Sequence, residues 1–75
     1  LESFTVSAGA TVTWTNRDGA PHTTTSGVPP EPDGSWDSPL LNQNQEFGFT
    51  FNQPGVFPYW CRVHPFMTGV ITVER

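Results

Sequence analysis

Four side chains that can bind a soft metal ion stand out in this sequence, and three of them lie close together. Cys61, His64 and Met67 follow one another at C-x2-H-x2-M spacing. Thiolate and thioether sulfur favour copper over hard cations, and imidazole suits copper in either oxidation state. A plane of two histidines and a cysteine with a distant axial methionine is a known copper ligand set. The second histidine must come from elsewhere in the chain, and His22 is the remaining candidate.

Each of these residues has an ordinary structural role when it is taken alone. A single cysteine is often a small buried apolar residue, and a methionine often fills a gap in a core. A lone histidine such as His22 is usually a surface or loop residue. Zinc also accepts histidine and cysteine, but structural zinc sites rarely include methionine. The combination and its spacing therefore favour one mononuclear copper ion as the cofactor, with His22, Cys61, His64 and Met67 as the metal ligands.

The segments around these residues carry the signals of an all-β fold. Threonine, valine and aromatic residues recur in alternation, and eight Pro and seven Gly punctuate them. Phe4 and Val6 should share the inner face of an N-terminal strand, and Phe47, Phe49 and Phe51 should fill the core. By contrast, residues 27–39 are acidic and rich in Pro and Gly, without the periodicity of a strand. We interpret them as a surface loop that crosses between two sheets.

Length and charge limit the classes of function. Seventy-five residues make one domain, covering 1–75, near the lower size limit for a self-sufficient core. One cysteine excludes an internal disulfide, so a metal is the natural additional source of stability. A net charge of −4 argues against nucleic acid or an anionic membrane as partner and favours a protein with a basic docking face. No apolar run is long enough to cross a membrane.

Several motifs make the chain resemble the cupredoxins, the type 1 blue copper proteins of the plastocyanin, amicyanin and pseudoazurin group. These motifs are N-x-D-x-x-P-H at 16–22, W-D-S at 36–38, F-x-F-x-F at 47–51 and P-G-x-F-x-Y-x-C-x-x-H-P-F-M-x-G-x-I-x-V at 54–73. The short ligand loop, with Pro65 directly after the histidine, is most similar to that of amicyanin. The resemblance covers nearly the whole chain. It implies a Greek-key β-sandwich that transfers single electrons, located outside the cytoplasm in the periplasm or on the outer face of the membrane.

The resemblance also implies where electrons enter and leave. In the family the C-terminal histidine ligand is partly exposed and ringed by apolar residues. Here the corresponding electron-transfer surface around His64 is expected to consist of Pro65 and Phe66, with Ala20 and Pro21 from the other loop. Such a ring suits brief docking of a redox protein, because transient redox encounters have small interfaces.

The chain departs from the family pattern at two places. From the resemblance we expect it to be short by one strand, which usually precedes the segment beginning at Leu1, and this should leave an exposed edge able to pair with another chain. The residue after the first histidine ligand is often Asn, which helps to tie the two ligand loops together. Here it is Thr23, so we expect that tie to be lost or to be made by a hydroxyl group.

Three functions remain open at this point. The first is a small electron carrier between larger redox proteins. The second is a copper enzyme whose open type 1 site reacts with nitric oxide, peroxide or nitrite. The third is a copper carrier or storage module. Both histidines are already assigned, so the chain has none left for a second, histidine-rich copper centre.

Overall fold

The computed structural model describes residues 3–75, which contain seven strands and no helix. No helix that could span a membrane is therefore found in this part of the chain. Leu1 and Glu2, where the exposed edge was expected to begin, lie outside the described residues. The strands are β1 (Phe4–Ser7), β2 (Ala10–Thr15), β3 (Thr25–Val28), β4 (Glu31–Asp37), β5 (Glu46–Phe51), β6 (Gly55–Trp60) and β7 (Thr68–Glu74).

The strands form two sheets that enclose one core. Five of them lie in the order β1-β7-β6-β3-β4, and β2 pairs with β5 in a second sheet. β1 runs parallel to β7, whereas β6 runs antiparallel to both of its neighbours. The predicted all-β Greek-key sandwich is confirmed. β1 and β4 are the edge strands of the larger sheet. The expectation that one family strand is missing stays a prediction.

The core between the sheets is largely aromatic. Trp36 lies at its centre, with ring centroids 5.7 Å from Trp14, 5.3 Å from Phe49 and 5.1 Å from Phe51. The predicted alternation along β5 is confirmed, since Phe51 is buried and the other two phenylalanines of that strand pack against the core. Phe4 is 37% exposed, so its predicted inward position is wrong. It lies on an edge strand that has a sheet neighbour on one side only.

The interpretation of residues 27–39 as a loop is also wrong, because most of this segment pairs with β3 as the strand β4. The Ser26 hydroxyl accepts a hydrogen bond from the Trp36 backbone N–H at 2.9 Å and donates one to the Asp33 carboxylate. Gly27 has φ of 120°, and a Cβ there would lie 2.5 Å from the Glu31 carbonyl oxygen. Side-chain bonds and a close backbone approach hold this hairpin together, and neither produces an alternating hydrophobic pattern.

Candidate metal centre

The C-terminal ligands lie on one short loop at the end of β6. Cys61 directly follows that strand, and its backbone N–H donates to the Met67 carbonyl at 3.0 Å. The Met67 N–H in turn donates to the His64 carbonyl at 2.8 Å. These two backbone bonds close the loop on itself. The loop therefore presents its side chains from a fixed backbone rather than from a free connection.

The other histidine is held by a separate backbone frame. His22 and Leu41 exchange two backbone hydrogen bonds, at 3.0 and 2.7 Å, as an isolated antiparallel bridge. The Asn16 side-chain amide donates to the carbonyls of Ala20 and Leu41, at 2.9 and 2.8 Å. Its side-chain oxygen accepts the Asp18 N–H at 2.9 Å. The buried Asn16 thus holds this loop together through three hydrogen bonds. Its place in the N-x-D-x-x-P-H motif did not by itself predict this role.

Three of the four predicted ligands converge on one point. The Cys61 Sγ lies 3.6 Å from His22 Nδ1 and 3.9 Å from His64 Nδ1. The three candidate ligand atoms all lie within 4.8 Å of one another. The cysteine is fully buried, and both histidines are half-buried. One buried sulfur faced by two ring nitrogens is the donor set that copper prefers, so these residues fit the ion.

The surroundings of the thiol favour its deprotonated form. Burial by itself raises the pKa of Cys61, but the Thr23 N–H, at 3.4 Å from Sγ, and the two imidazoles lower it from 9.0 to about 6. The pKa of His22 is raised, first by its hydrogen bond to Cys61 and then by the Asp18 carboxylate. A thiolate is the form that binds a metal, so these surroundings favour metal binding at Cys61.

Met67 is half-buried beside this group. It lines a cavity of about 320 Å³ together with His22, Trp14 and Tyr59. Its place as the axial ligand stays a prediction.

The two ligand loops are tied together by a hydroxyl. The Thr23 Oγ1 accepts the Arg62 backbone N–H at 2.9 Å, directly beyond Cys61. Thr23 is 5% exposed, and its own N–H donates to the cysteine sulfur. We expected the tie between the loops either to be lost or to be made by a hydroxyl group, because the family often has Asn here. In the structure the Thr23 hydroxyl makes it.

The residues expected to ring His64 are mostly at the surface. Phe66 is 82% exposed, and its ring centroid lies 6.0 Å from that of the histidine. Ala20 and Pro65 are exposed and Pro21 is half-buried. Phe66 is therefore not a core residue. Whether the four form a docking surface stays a prediction.

The sequence profile of the family described as "Copper binding proteins, plastocyanin/azurin family" matches residues 1–74. This chain is a cupredoxin. The family binds copper, and His22, Cys61 and His64 are placed in this cupredoxin as its copper site. The predicted cofactor and the predicted family are both confirmed.

Individual relatives agree with this assignment. Amicyanin-alpha of Methylorubrum extorquens is 39% identical over 69 residues, which are 92% of this chain and 58% of the relative. Amicyanin of Paracoccus denitrificans is 38% identical over 71 residues, covering 92% of this chain and 53% of the relative. This cupredoxin thus spans between a half and two thirds of the length of these curated relatives.

Solved structures are similar over almost the whole chain. A purple cupredoxin from Nitrosopumilus maritimus matches with a TM-score of 0.89 and 36% identity, covering 97% of this chain and 77% of that one. The Cu(I) form of an amicyanin mutant matches with a TM-score of 0.83 and 36% identity, covering 97% and 69%. The fold similarity therefore extends well beyond the ligand loop.

Proposed function

We propose that this cupredoxin carries single electrons between redox proteins, with one type 1 copper as its redox centre. His22, Cys61, His64 and Met67 would hold the ion. The observation that carries the proposal is the convergence of two Nδ1 atoms on one buried sulfur, at 3.6 and 3.9 Å. When bound, copper supplies a one-electron couple between its cupric and cuprous states.

The frame around the ligands supports fast transfer. Rapid exchange requires that the ligands move little between the two oxidation states. His22 is fixed by a two-bond bridge to Leu41, and the loop of Cys61 is closed by the Met67 carbonyl. These bonds join backbone groups of the protein itself, so they limit the movement of the donor atoms. Preorganisation of this kind requires supporting contacts around each ligand.

The exposed apolar residues beside His64 support a docking role. We propose that Phe66, Pro65, Ala20 and Pro21 contact a redox protein whose face is apolar at the centre and basic at the rim. The apolar centre follows from the 82% exposure of Phe66, and the basic rim from the net charge of −4. Small apolar contacts with charged rims suit encounters that must end quickly.

Titration of the metal-free protein with Cu(II) tests the copper centre. We expect an intense visible charge-transfer band from the Cys61 sulfur, which a Cys61→Ser variant should lack. The band should vanish on reduction and return on reoxidation. A colourless complex would refute the type 1 site. A coloured complex that cannot be cycled would instead favour a copper carrier or storage protein.

Replacement of Phe66 by alanine tests the docking surface. Because this side chain is so exposed, the variant should keep its fold, its colour and its reduction potential. Electron transfer from a redox partner protein should slow, whereas transfer to a small inorganic oxidant should change much less. A Val56→Ala variant is the matched control, since Val56 is 67% exposed on β6 outside the ligand loop. Equal partner rates for the two variants would contradict the proposed surface.

A second function is favoured by the cavity beside the ligands. Its wall includes His22 and Met67, so a small molecule held there would lie next to the metal site. A copper enzyme acting on nitric oxide, peroxide or nitrite would need such access. Addition of azide distinguishes the two functions. A shift of the charge-transfer band would indicate an open coordination position, and an unchanged band would favour the electron carrier.

The proposal extends to the cellular location and to assembly. We propose an extracytoplasmic location because the chain belongs to a family whose members are typically exported. Fractionation of cells that make the protein would place it. We also propose that a sheet edge can pair with a second copy, since β1 and β4 each have one sheet neighbour among the described strands. A sedimentation profile that stays monomeric at high concentration would refute pairing.

A further inference from the structure

A closed ring of hydrogen bonds lies beside the copper site and reaches from it to the edge strand β4. The Arg62 N–H donates to Thr23 Oγ1 at 2.9 Å, and Thr23 Oγ1 lies 3.1 Å from Thr25 Oγ1. The Thr25 hydroxyl is 2.9 Å from Asp37 Oδ1, which also accepts Arg62 Nε at 3.2 Å. The ring therefore begins and ends on the same arginine.

The direction of every bond in this ring is determined by chemistry. A carboxylate can only accept, so the Thr25 hydroxyl must donate its single proton to Asp37. The Thr25 oxygen must then accept from the Thr23 hydroxyl, whose oxygen already accepts the Arg62 N–H. Each hydroxyl thus donates once and accepts once, so the three bonds that lead from the Arg62 N–H to Asp37 all run in the same direction. Bonds arranged head to tail in this way polarise and strengthen one another.

The ring is buried at the end that faces the site and exposed at the other. Thr25 is fully buried and Thr23 is 5% exposed, so water cannot easily replace a lost partner there. The side chains of Arg62 and Asp37 are 45% and 43% exposed. Only the inner part of the ring is therefore expected to resist solvent.

The inner end of the ring touches the metal site through Thr23. The side chain of this residue belongs to the ring, and its backbone N–H donates to the Cys61 sulfur at 3.4 Å. A hydrogen bond to the thiolate weakens its donation to the metal, which is one of the ways a protein tunes a copper centre. Whatever fixes the Thr23 side chain also fixes the direction of this N–H.

We propose that Thr25 and Asp37 are positioning residues that set the reduction potential of the copper site by holding the Thr23 amide against the Cys61 sulfur. The proposal rests on the one-electron copper centre proposed above. Loss of the ring should loosen the N–H···S bond, strengthen sulfur donation to the cupric ion and lower the potential. The charge of Asp37 would act in the opposite sense, since loss of a nearby negative charge raises the potential. The sign of the change therefore separates positioning from simple electrostatics.

The test compares the same substitution at two adjacent buried threonines. Thr25→Val removes the ring hydroxyl with no change of charge or shape. Thr24→Val is the matched control for loss of a buried hydroxyl, because Thr24 is 2% exposed and its hydroxyl accepts the Trp36 indole N–H, at 3.0 Å, outside the ring. Two readouts are needed: the reduction potential of the copper form, and hydrogen exchange of the Arg62 amide in the metal-free protein.

We expect Thr25→Val to lower the potential and to speed Arg62 amide exchange by about tenfold, the factor that corresponds to a net hydrogen bond of about 1.4 kcal/mol. Thr24→Val should change neither. Equal effects of the two variants, or none from Thr25→Val, would overturn the proposal. Hydrogen exchange of the Arg62 amide is measured without metal, so it tests whether the ring holds this amide even if the electron-carrier proposal fails.

A second pair of variants applies if Thr25→Val does not fold. Asp37→Ala removes the outer acceptor of the ring, and Glu31→Ala removes an exposed charge from the same strand. At high ionic strength the lost surface charges are largely screened. Under that condition Asp37→Ala should lower the potential relative to Glu31→Ala. Equal potentials for the two variants would overturn the proposal.

Discussion

Replacement of Asp18 should weaken copper binding although this residue does not contact the ion. Its Oδ2 lies 2.9 Å from His22 Nε2. An ionised carboxylate only accepts hydrogen bonds, so Nε2 carries a ring proton and Nδ1, which faces the Cys61 sulfur, is the nitrogen left to bind the ion. Removal of this side chain leaves the local turn in place, because Asn16 holds the loop through the Asp18 backbone N–H.

The size of the effect follows from the exposure of the pair. Loss of a partner that orients a ligand histidine costs about 10–100-fold in metal affinity. The Asp18 side chain is 67% exposed and that of His22 is 14% exposed, so solvent screens the pair and the lower end applies. We therefore expect Asp18→Ala to weaken Cu(II) binding by about tenfold, or about 1.4 kcal/mol. The potential should rise, because the lost negative charge had favoured the cupric state.

The assay is competition of the protein against a chelator for Cu(II), together with the reduction potential. Asp18→Asn keeps an acceptor without the charge and should fall between Asp18→Ala and the parent protein. Glu46→Gln controls for net charge, because the Glu46 carboxylate accepts a hydrogen bond from Thr15 on an exposed part of the smaller sheet. If Asp18→Ala matched Glu46→Gln in both affinity and potential, the orienting role of the carboxylate would be refuted.

Three further predictions concern the fold, each read from unfolding of the metal-free protein. Ile71→Ala should cost about 2–5 kcal/mol, since this side chain is fully buried, whereas Val56→Ala should be nearly neutral; equal costs would contradict the assigned core. Gly27→Ala should destabilise strongly, because the new Cβ would lie 2.5 Å from a β4 carbonyl oxygen at a φ of 120°; an unchanged midpoint would exclude that close approach. The folded-state pKa of Asp33 is lowered below 3.8, first by the hydrogen bond from Ser26 and then by the backbone N–H of residue 35. The Asp33 carboxylate therefore contributes stability above pH 3.8, and this contribution is lost as the pH falls through the folded-state pKa. Asp33→Asn should therefore lose less stability than the parent protein as the pH falls below 3.8, and parallel pH profiles would refute this linkage.

Local sequence patterns were sufficient for the strands that bury a regular face. Phe51 on β5 and Tyr59 on β6 each belong to a set of aromatic residues at every second position of the strand, and both are buried, as a period of two predicts. The ligand loop could also be predicted from the sequence, because Cys61 and His64 are three residues apart and a thiolate with an imidazole indicates copper.

Residues 27–39 failed to signal their strand because its pairing does not depend on alternation. Only Trp36 of β4 is buried, and the rest of that strand faces solvent at the edge of the sheet. The partner strand is held by the Ser26 hydroxyl and by close approach at Gly27. These contacts join residues between four and ten positions apart, and none of them leaves an alternating hydrophobic pattern along the strand.

The sequence by itself determined the fold class, the donor types and the family. Only the tertiary structure brought His22 to Cys61 across 39 residues, assigned Asn16 to hold the His22 loop, and placed Thr23 between the two ligand loops. The physical reason is that the metal preference of a side chain depends on its own chemistry and can be inferred from the sequence. The distances and hydrogen-bond directions that bring the three donors His22, Cys61 and His64 into one site depend on strands that meet only when the sheets form.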